Sequence, residues 1–254
     1  MKKAWIIAWK DFKTYFTSPI AYVVTGMFLL IMGIMFFSNL SHFNMMNMQS
    51  KQFNAGKGVS ITDGILRPTY GNMNVIFLFM VPFITMRLFA EERKNQTIVM
   101  LMTAPIRLWE LVVGKFLSCF MLIVVIYSLT LFYPFVLFLT ANPDPGTVFA
   151  TFIGTFLMVS CYISIGVMWS STTENQIVAA ALTLFTILLF WIISWPGQYA
   201  GNVTREILNY LSLISHFNDF SQGAIKLSDC VFYLSFTGVC LFLTHRILDS
   251  YRWR

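Results

Sequence analysis

The sequence predicts an all-α integral membrane protein with six transmembrane helices, and three observations lead there. Hydrophobic residues make up 57% of the 254 residues and charged residues 11%, against about 45–50% and about 25% in a soluble domain. The apolar residues gather into runs nearly free of charge, near residues 20–37, 73–90, 116–140, 147–170, 176–194 and 230–248. Lys and Arg sit beside those runs rather than in one stripe, so the net charge of +6 reports membrane orientation and not nucleic-acid binding. A soluble enzyme and a disordered chain are both excluded, because neither composition carries this much apolar surface with so few charges.

The chain opens on an amphipathic segment. Over residues 4–16, Trp5, Trp9, Phe12 and Phe16 share one helical face, while Lys3, Lys10 and Lys13 fall largely elsewhere. That pattern predicts an interfacial elbow helix lying on the bilayer surface before Thr17, Ser18 and Pro19 turn the chain inward. Lys10, Asp11 and Lys13 interrupt the apolar core that a cleaved signal would need.

Each of the six runs is measured against the about 20 residues that cross the hydrocarbon. The first is uncharged. The second reaches residue 90 if Arg87 snorkels to the headgroups. Asn142, Pro143, Asp144, Pro145 and Gly146 separate the third and fourth, since such residues do not continue a helix. His245 and Arg246 lie in the last turn of the sixth. Trp109, Trp169, Trp191 and Trp195 fall near span ends, as interfacial aromatics do. All of residues 1–254 read as one transmembrane domain.

With the N-terminus inside, 12 of the 17 Lys and Arg fall on inner segments; only Lys51, Lys57, Arg67, Arg205 and Lys226 fall outside. Both termini are therefore expected in the cytoplasm. Outer segment 38–72 is polar without a strong period. Outer segment 196–229 mixes apolar and polar residues and reads as short re-entrant helices, an arrangement tolerated where protein or water satisfies the backbone. His42, Met45, Met46 and Met48 are soft ligands suited to Cu(I), but with 15 Met in the chain such a cluster follows from composition, and no metal site is assigned. Cys119, Cys161, Cys230 and Cys240 lie in apolar stretches without CxxC spacing and read as packing residues.

Catalytic motifs are missing. Gly56-Lys57 and Gly114-Lys115 lack the rest of a phosphate loop, and there is no GxSxG, HExxH or intramembrane acidic cluster. His42, His216 and His245 fall on different predicted sides, which argues against a membrane enzyme. Apart from Arg87 and Arg246 the spans hold no Asp, Glu, Lys or Arg, so an ion-coupled carrier is disfavoured. Any energy for transport must come from another subunit.

The segment from Arg87 to Lys115 is the most informative. Glu91, Glu92, Arg93 and Lys94 form a charge run, Thr97 follows, and Ile98, Leu101 and Met102 make an apolar face at helical spacing before Pro105 ends it. A charged and apolar cytoplasmic helix suits docking in a partner's groove. Topology alone asks for Lys and Arg but not for Glu91 and Glu92. Between the fourth and fifth spans, Ser171 and Glu174 have capping-box spacing; Thr173, Glu174 and Asn175 are either a plain cap or a second contact for the same partner.

These stretches carry a resemblance. TSPIAYVV (17–24), ITMRLFAEERKNQTIVMLMTAPIRLWELVVGK (84–115), SSTTENQIVA (170–179), FNDFSQGAIKLSDCVFYLS (217–235) and RWR (252–254) resemble type-2 ABC exporter permeases, and among them the gliding-motility GldF-type subgroup, with NosY-type copper-related permeases more distant. The resemblance implies a six-helix half-transporter in a bacterial inner membrane, with an elbow at 4–16 and a coupling helix within 91–103. It implies ABC ATPase subunits that hold the ATP and magnesium, with no cofactor on this chain. It also implies a second permease copy or a related membrane subunit with a large extracytoplasmic domain. Family members carry Gly-Thr where this chain has Gln96-Thr97. The expected function is to couple ATP hydrolysis in the partner to substrate movement. The alternative is a mechanotransmission or scaffold role that passes the motion to an extracytoplasmic partner without moving a substrate.

Overall fold

Apolar runs of this length bury their backbone hydrogen bonds within helices, and in the computed structural model most of the described residues are helical. It describes residues 2–17, 19–52, 60–98, 100, 106–140, 143–198 and 201–251, and no strand occurs among them. The elbow is α1 (Lys2–Thr17), followed by α2 (Pro19–Gln52). A π-helical turn over Thr62–Leu66 leads into α3 (Arg67–Thr85), and α4 (Arg87–Lys94) follows directly. Next come α5 (Leu108–Thr130), α6 (Phe132–Thr140), α7 (Pro145–Thr172), α8 (Gln176–Ile192), the short α9 (Asn202–Leu211) and α10 (Leu213–Ser221), and α11 (Leu227–Ser250).

Among the described residues, five helical stretches are long and apolar enough to cross a membrane: Ala21–Met48, Thr62–Lys94, Leu108–Thr140, Pro145–Thr172 and Leu227–Ser250. Gln176–Ile192 is apolar but has only 17 residues, about 26 Å of helix against about 30 Å of hydrocarbon. Five of the six expected spans therefore meet the length that a crossing needs. Their limits differ from the sequence reading. The run at 20–37 is the apolar part of a helix that continues to Gln52, so outer segment 38–72 is largely helical, and the second helix begins at Arg67, ahead of residue 73. The run at 116–140 starts at Leu108 and is interrupted at Leu131. Pro134 lies just beyond the interruption and lacks the N–H that would bond to the Thr130 carbonyl.

α3 and α7 form the centre, with 67% and 61% of their apolar windows buried against 17% for α2. α2 turns Tyr22, Val23, Met27, Leu30, Ile34 and Phe37 outward, a surface suited to hydrocarbon and not to water. At Gly166, a Cβ would lie 2.1 Å from the Thr85 hydroxyl, so only glycine allows α7 this close to α3. α7 and α8 form a hairpin bridged by Trp169 Nε1, which donates to Thr186 Oγ1 at 2.9 Å. Cys161 Sγ donates to the Tyr233 carbonyl at 3.4 Å and places α11 against α7.

At the end of the bundle away from α1, Asp144 caps α7. Its carboxylate accepts from Gly146 N at 3.1 Å, Thr147 N at 3.3 Å and Thr147 Oγ1 at 2.6 Å. The Thr147 hydroxyl and the Gly146 amide hold its pKa below the usual carboxylate value. Two short helices, α9 and α10, lie between α8 and α11. α9 buries none of its residues, whereas α10 buries Leu213, His216, Phe217, Phe220 and Ser221. His216 stacks on Phe232 at 4.1 Å, with Nδ1 2.7 Å from Asp229 Oδ1 and Nε2 2.9 Å from the Tyr210 carbonyl. Both nitrogens thus face acceptors, and three elements are joined. His42, Met45, Met46 and Met48 are exposed on the far part of α2.

Candidate functional site

The elbow end of the bundle gathers the charges. α1 packs on α5 through its small residues: Ala4 and Ala8 are buried, and a Cβ on Gly114 would meet the Ala4 carbonyl at 2.9 Å and Ile7 Cβ at 3.0 Å. This close crossing brings Asp11 and Tyr15 down on the same face. Tyr15 OH lies 3.0 Å from Cys119 Sγ, and burial raises its pKa well above the ordinary phenol value. The adjacent face carries a run of rings: Trp5–Trp9 at 6.4 Å, Trp9–Phe12 at 5.7 Å and Phe12–Phe16 at 5.0 Å. Trp5 and Trp9 are about half exposed, and Phe12 and Phe16 are partly buried against the core. An aromatic face of this kind suits the bilayer interface.

The second component is α4. Its junction with α3 at Met86 is splinted from α7: Ser170 Oγ accepts from Phe89 N at 3.0 Å and Ala90 N at 3.2 Å, and donates to the Met86 carbonyl at 3.1 Å. The backbone groups freed at the helix break are thereby satisfied inside the protein. From this fixed root, Glu92 points inward to Lys115, which also stands 3.1 Å from Asp11 Oδ2. The lysine side chain is only 6% exposed, so one buried cation joins α1, α4 and α5 between two carboxylates. Arg93 points the other way, donating to the Ser171 carbonyl and to Tyr251 OH, both at 2.8 Å, and it pairs with Glu174 at 3.5 Å. Its guanidinium lies 4.3 Å from the centre of the Tyr251 ring. Glu91 and Lys94 remain exposed.

The coupling helix is expected within 91–103, of which the described residues are 91–98 and 100. α4 ends at Lys94, and Gln96 takes φ 55°, with Gln96 N bonded to the Arg93 carbonyl at 3.0 Å. A left-handed residue after a helix is ordinarily glycine; here it is glutamine. Thr97 Oγ1 donates back to the Glu92 carbonyl at 3.2 Å. Ile98 is helical again and packs on the core. Leu101, Met102 and Pro105 lie outside the described residues. The capping box is also corrected: Ser171 is the penultimate residue of α7 and bonds to the Met168 carbonyl. α8 is instead capped by Asn175, whose Oδ1 accepts from Ile177 N at 2.9 Å, while Thr173 Oγ1 accepts from Asn175 N at 3.1 Å.

This end of the protein therefore has charged α4 held at its root, tied by Glu92 to the elbow and by Arg93 to the α7–α8 link and the end of α11. A family model described as ABC-2 family transporter protein matches residues 5–245. The chain belongs to the ABC-2 transporter family. No curated relative matches it. An ABC-2 membrane protein works with an ABC ATPase subunit, and five apolar helices of crossing length make this one a multi-pass membrane protein.

The sequence reading missed four residues of this candidate site: Asp11, Lys115, Ser170 and Tyr251. Lys115 read as a topology charge and Asp11 as an interruption in an apolar stretch. One signal was available, since an isolated acid and an isolated lysine amid apolar residues need partners once buried. Ser170 and Tyr251 carried no such signal.

Proposed function

We propose that this chain is the permease subunit of an ATP-driven ABC-type exporter in a bacterial cytoplasmic membrane. It crosses six times, with Gln176–Ile192 as the short crossing, and both termini are cytoplasmic. ATP and magnesium belong to the partner ATPase. A second permease copy, or a related membrane subunit with a large extracytoplasmic domain, completes the assembly. The resemblance in 170–179 and 252–254 supports the GldF-type subgroup.

The observation that carries this reading is the division of charges on α4. Glu92 and Arg93 are engaged inward, whereas Glu91 and Lys94 are exposed. A short helix braced by its neighbours, with charges left on its outer side, can receive a docked protein and pass its movement to α1, α5, α7 and α11. Glu92 thus acts as a brace, and Glu91 is the docking residue.

The test is gentle detergent purification of the tagged chain, with mass spectrometry of co-eluting proteins and their ATPase rate. The wild type is expected to bring an ABC ATPase with it. Glu91→Arg is expected to lose most of that ATPase while still inserting in the membrane. Full retention of a normally active ATPase by Glu91→Arg would defeat the docking role, and a wild-type chain that brings no ATPase would defeat the whole reading.

A further inference from the structure

At the end of the bundle away from α1, three helices meet on one imidazole. His216, in α10, sets Nδ1 2.7 Å from Asp229 Oδ1 and Nε2 2.9 Å from the Tyr210 carbonyl. A neutral imidazole has one N–H and one bare nitrogen. In either tautomer the bare nitrogen would stand against an oxygen lone pair at hydrogen-bond distance. Both contacts are made only when the pair holds one proton more than a neutral ring and a carboxylate supply, as an imidazolium beside Asp229. Placing that proton on Asp229 instead leaves the same count.

The backbone on each side favours the charged ring. Tyr210 is the penultimate residue of α9, so its carbonyl lacks an amide within the helix and lies at the negative end of the helix dipole. Asp229 lies in the first turn of α11, where the dipole favours a carboxylate. The ring stacks on Phe232 at 4.1 Å, with Tyr210 and Tyr233 edge-on at 5.6 and 6.2 Å. The other ionisable groups around it are engaged elsewhere. Lys226 pairs with Asp219 at 2.6 Å, and Tyr233 OH donates to the Leu213 carbonyl at 2.7 Å. On α9, Arg205 and Glu206 are exposed. α7 brings Tyr162 and Cys161, the latter bonded to the Tyr233 carbonyl. α3 brings Tyr70, which packs on Tyr127, and Arg67, which pairs with Asp63 at 3.9 Å. α8 has no ionisable side chain. Among the described residues, Asp229 is the one charged group within ion-pair distance of the ring.

α9 buries none of its residues, whereas α10 is anchored by Leu213, Phe217 and Phe220. We propose that the His216–Asp229 pair is a proton-held latch on α9. Protonated, it fastens the last turn of α9 to α10 and α11. As rising pH removes the shared proton, one of the two ring bonds is lost, and α9 loosens while α10 stays packed. Under the topology proposed above this end faces outside the cell, so the latch answers to external pH; the contact itself is the same in either orientation.

Hydrogen–deuterium exchange of the intact protein, with whatever subunits accompany it, is followed by mass spectrometry from about pH 5 to about pH 10, which spans histidine's change of charge. Once intrinsic rates are divided out, peptides covering 202–211 are expected to exchange about tenfold faster above a single step than below it. Peptides from α8 and from the later turns of α11 are expected to show no such step. His216→Gln, which keeps a donor and an acceptor but does not ionise, is expected to abolish it. Asp229→Asn is expected to move the step to lower pH, and Tyr210→Phe, which keeps the carbonyl, to leave it in place. Should His216→Gln fail to fold, the wild-type profile and Asp229→Asn still decide. Absence of a step in α9, a step that survives His216→Gln, one unmoved by Asp229→Asn, one abolished by Tyr210→Phe, or one shared with α8 would each overturn the latch.

Discussion

Lys115 shows how much rests on single side chains at the elbow end. It is buried between Asp11 and Glu92, and removing one member of a buried ion cluster leaves the others uncompensated. Lys115→Met is expected to destabilise the purified protein by about 3 kcal/mol. The triple variant Asp11→Asn, Glu92→Gln, Lys115→Met removes the charges together and is expected to recover most of that loss. Thermal unfolding in detergent measures both; equal losses in the two variants would show that shape, and not charge, holds the contact. Asp144 gives a pH dependence of determined sign. Its pKa is lowered in the folded protein by the Thr147 hydroxyl and the Gly146 amide. Its contribution is therefore complete above the unfolded carboxylate value and is lost as the pH falls through the lowered folded value. The difference in unfolding midpoint between wild type and Asp144→Ala is expected to be constant near neutrality and to shrink in acid. A difference that grows in acid would contradict the cap.

Among the elements, the closest approach is that of α3 and α7 at Gly166. Adding one methyl group there places it 2.1 Å from Thr85 Oγ1 and 2.6 Å from Thr85 Cβ. Thr85 is fully buried and bonded to the Val81 carbonyl at 2.9 Å, which restrains its rotation. Gly166→Ala is expected to cost about 1–3 kcal/mol by overpacking. Gly238 in α11 has nothing within 4 Å of its Cβ position, so Gly238→Ala is expected to gain up to about 1 kcal/mol from helix propensity. Unfolding midpoints moving in opposite directions would support this account, and a Gly166→Ala protein as stable as wild type would refute it. The break after α4 follows from local geometry as well. Gln96 adopts a left-handed backbone that costs a residue with a Cβ about 1–2 kcal/mol. Thr97 and the Arg93 carbonyl hold the turn despite that cost. The consequence is that Glu91 to Arg93 belong to a short helix that continues from α3 and ends at Lys94.

For the whole molecule, the proposed working model is a push received on Glu91 and distributed through two charged ties. One runs by Glu92 and Lys115 to the elbow; the other runs by Arg93 to Ser171, Glu174 and Tyr251. The membrane class and the helical face shared by Trp5, Trp9, Phe12 and Phe16 were legible in the sequence because they depend on composition and on local periodicity. A 3.6-residue period places side chains on a face without reference to the rest of the chain, and a run of about 20 apolar residues crosses hydrocarbon whatever its neighbours. The direction in which each charge points was decided only by tertiary structure. Glu91 and Glu92 are adjacent and chemically alike, yet one is exposed and the other is partly buried against Lys115, 23 positions away. That separation, like the 158 positions between Arg93 and Tyr251, is invisible to any local window. Burial makes an unpaired charge too costly to keep, so the packing of α1 and α5 at Ala4, Ala8 and Gly114 determines which carboxylate is drawn inward.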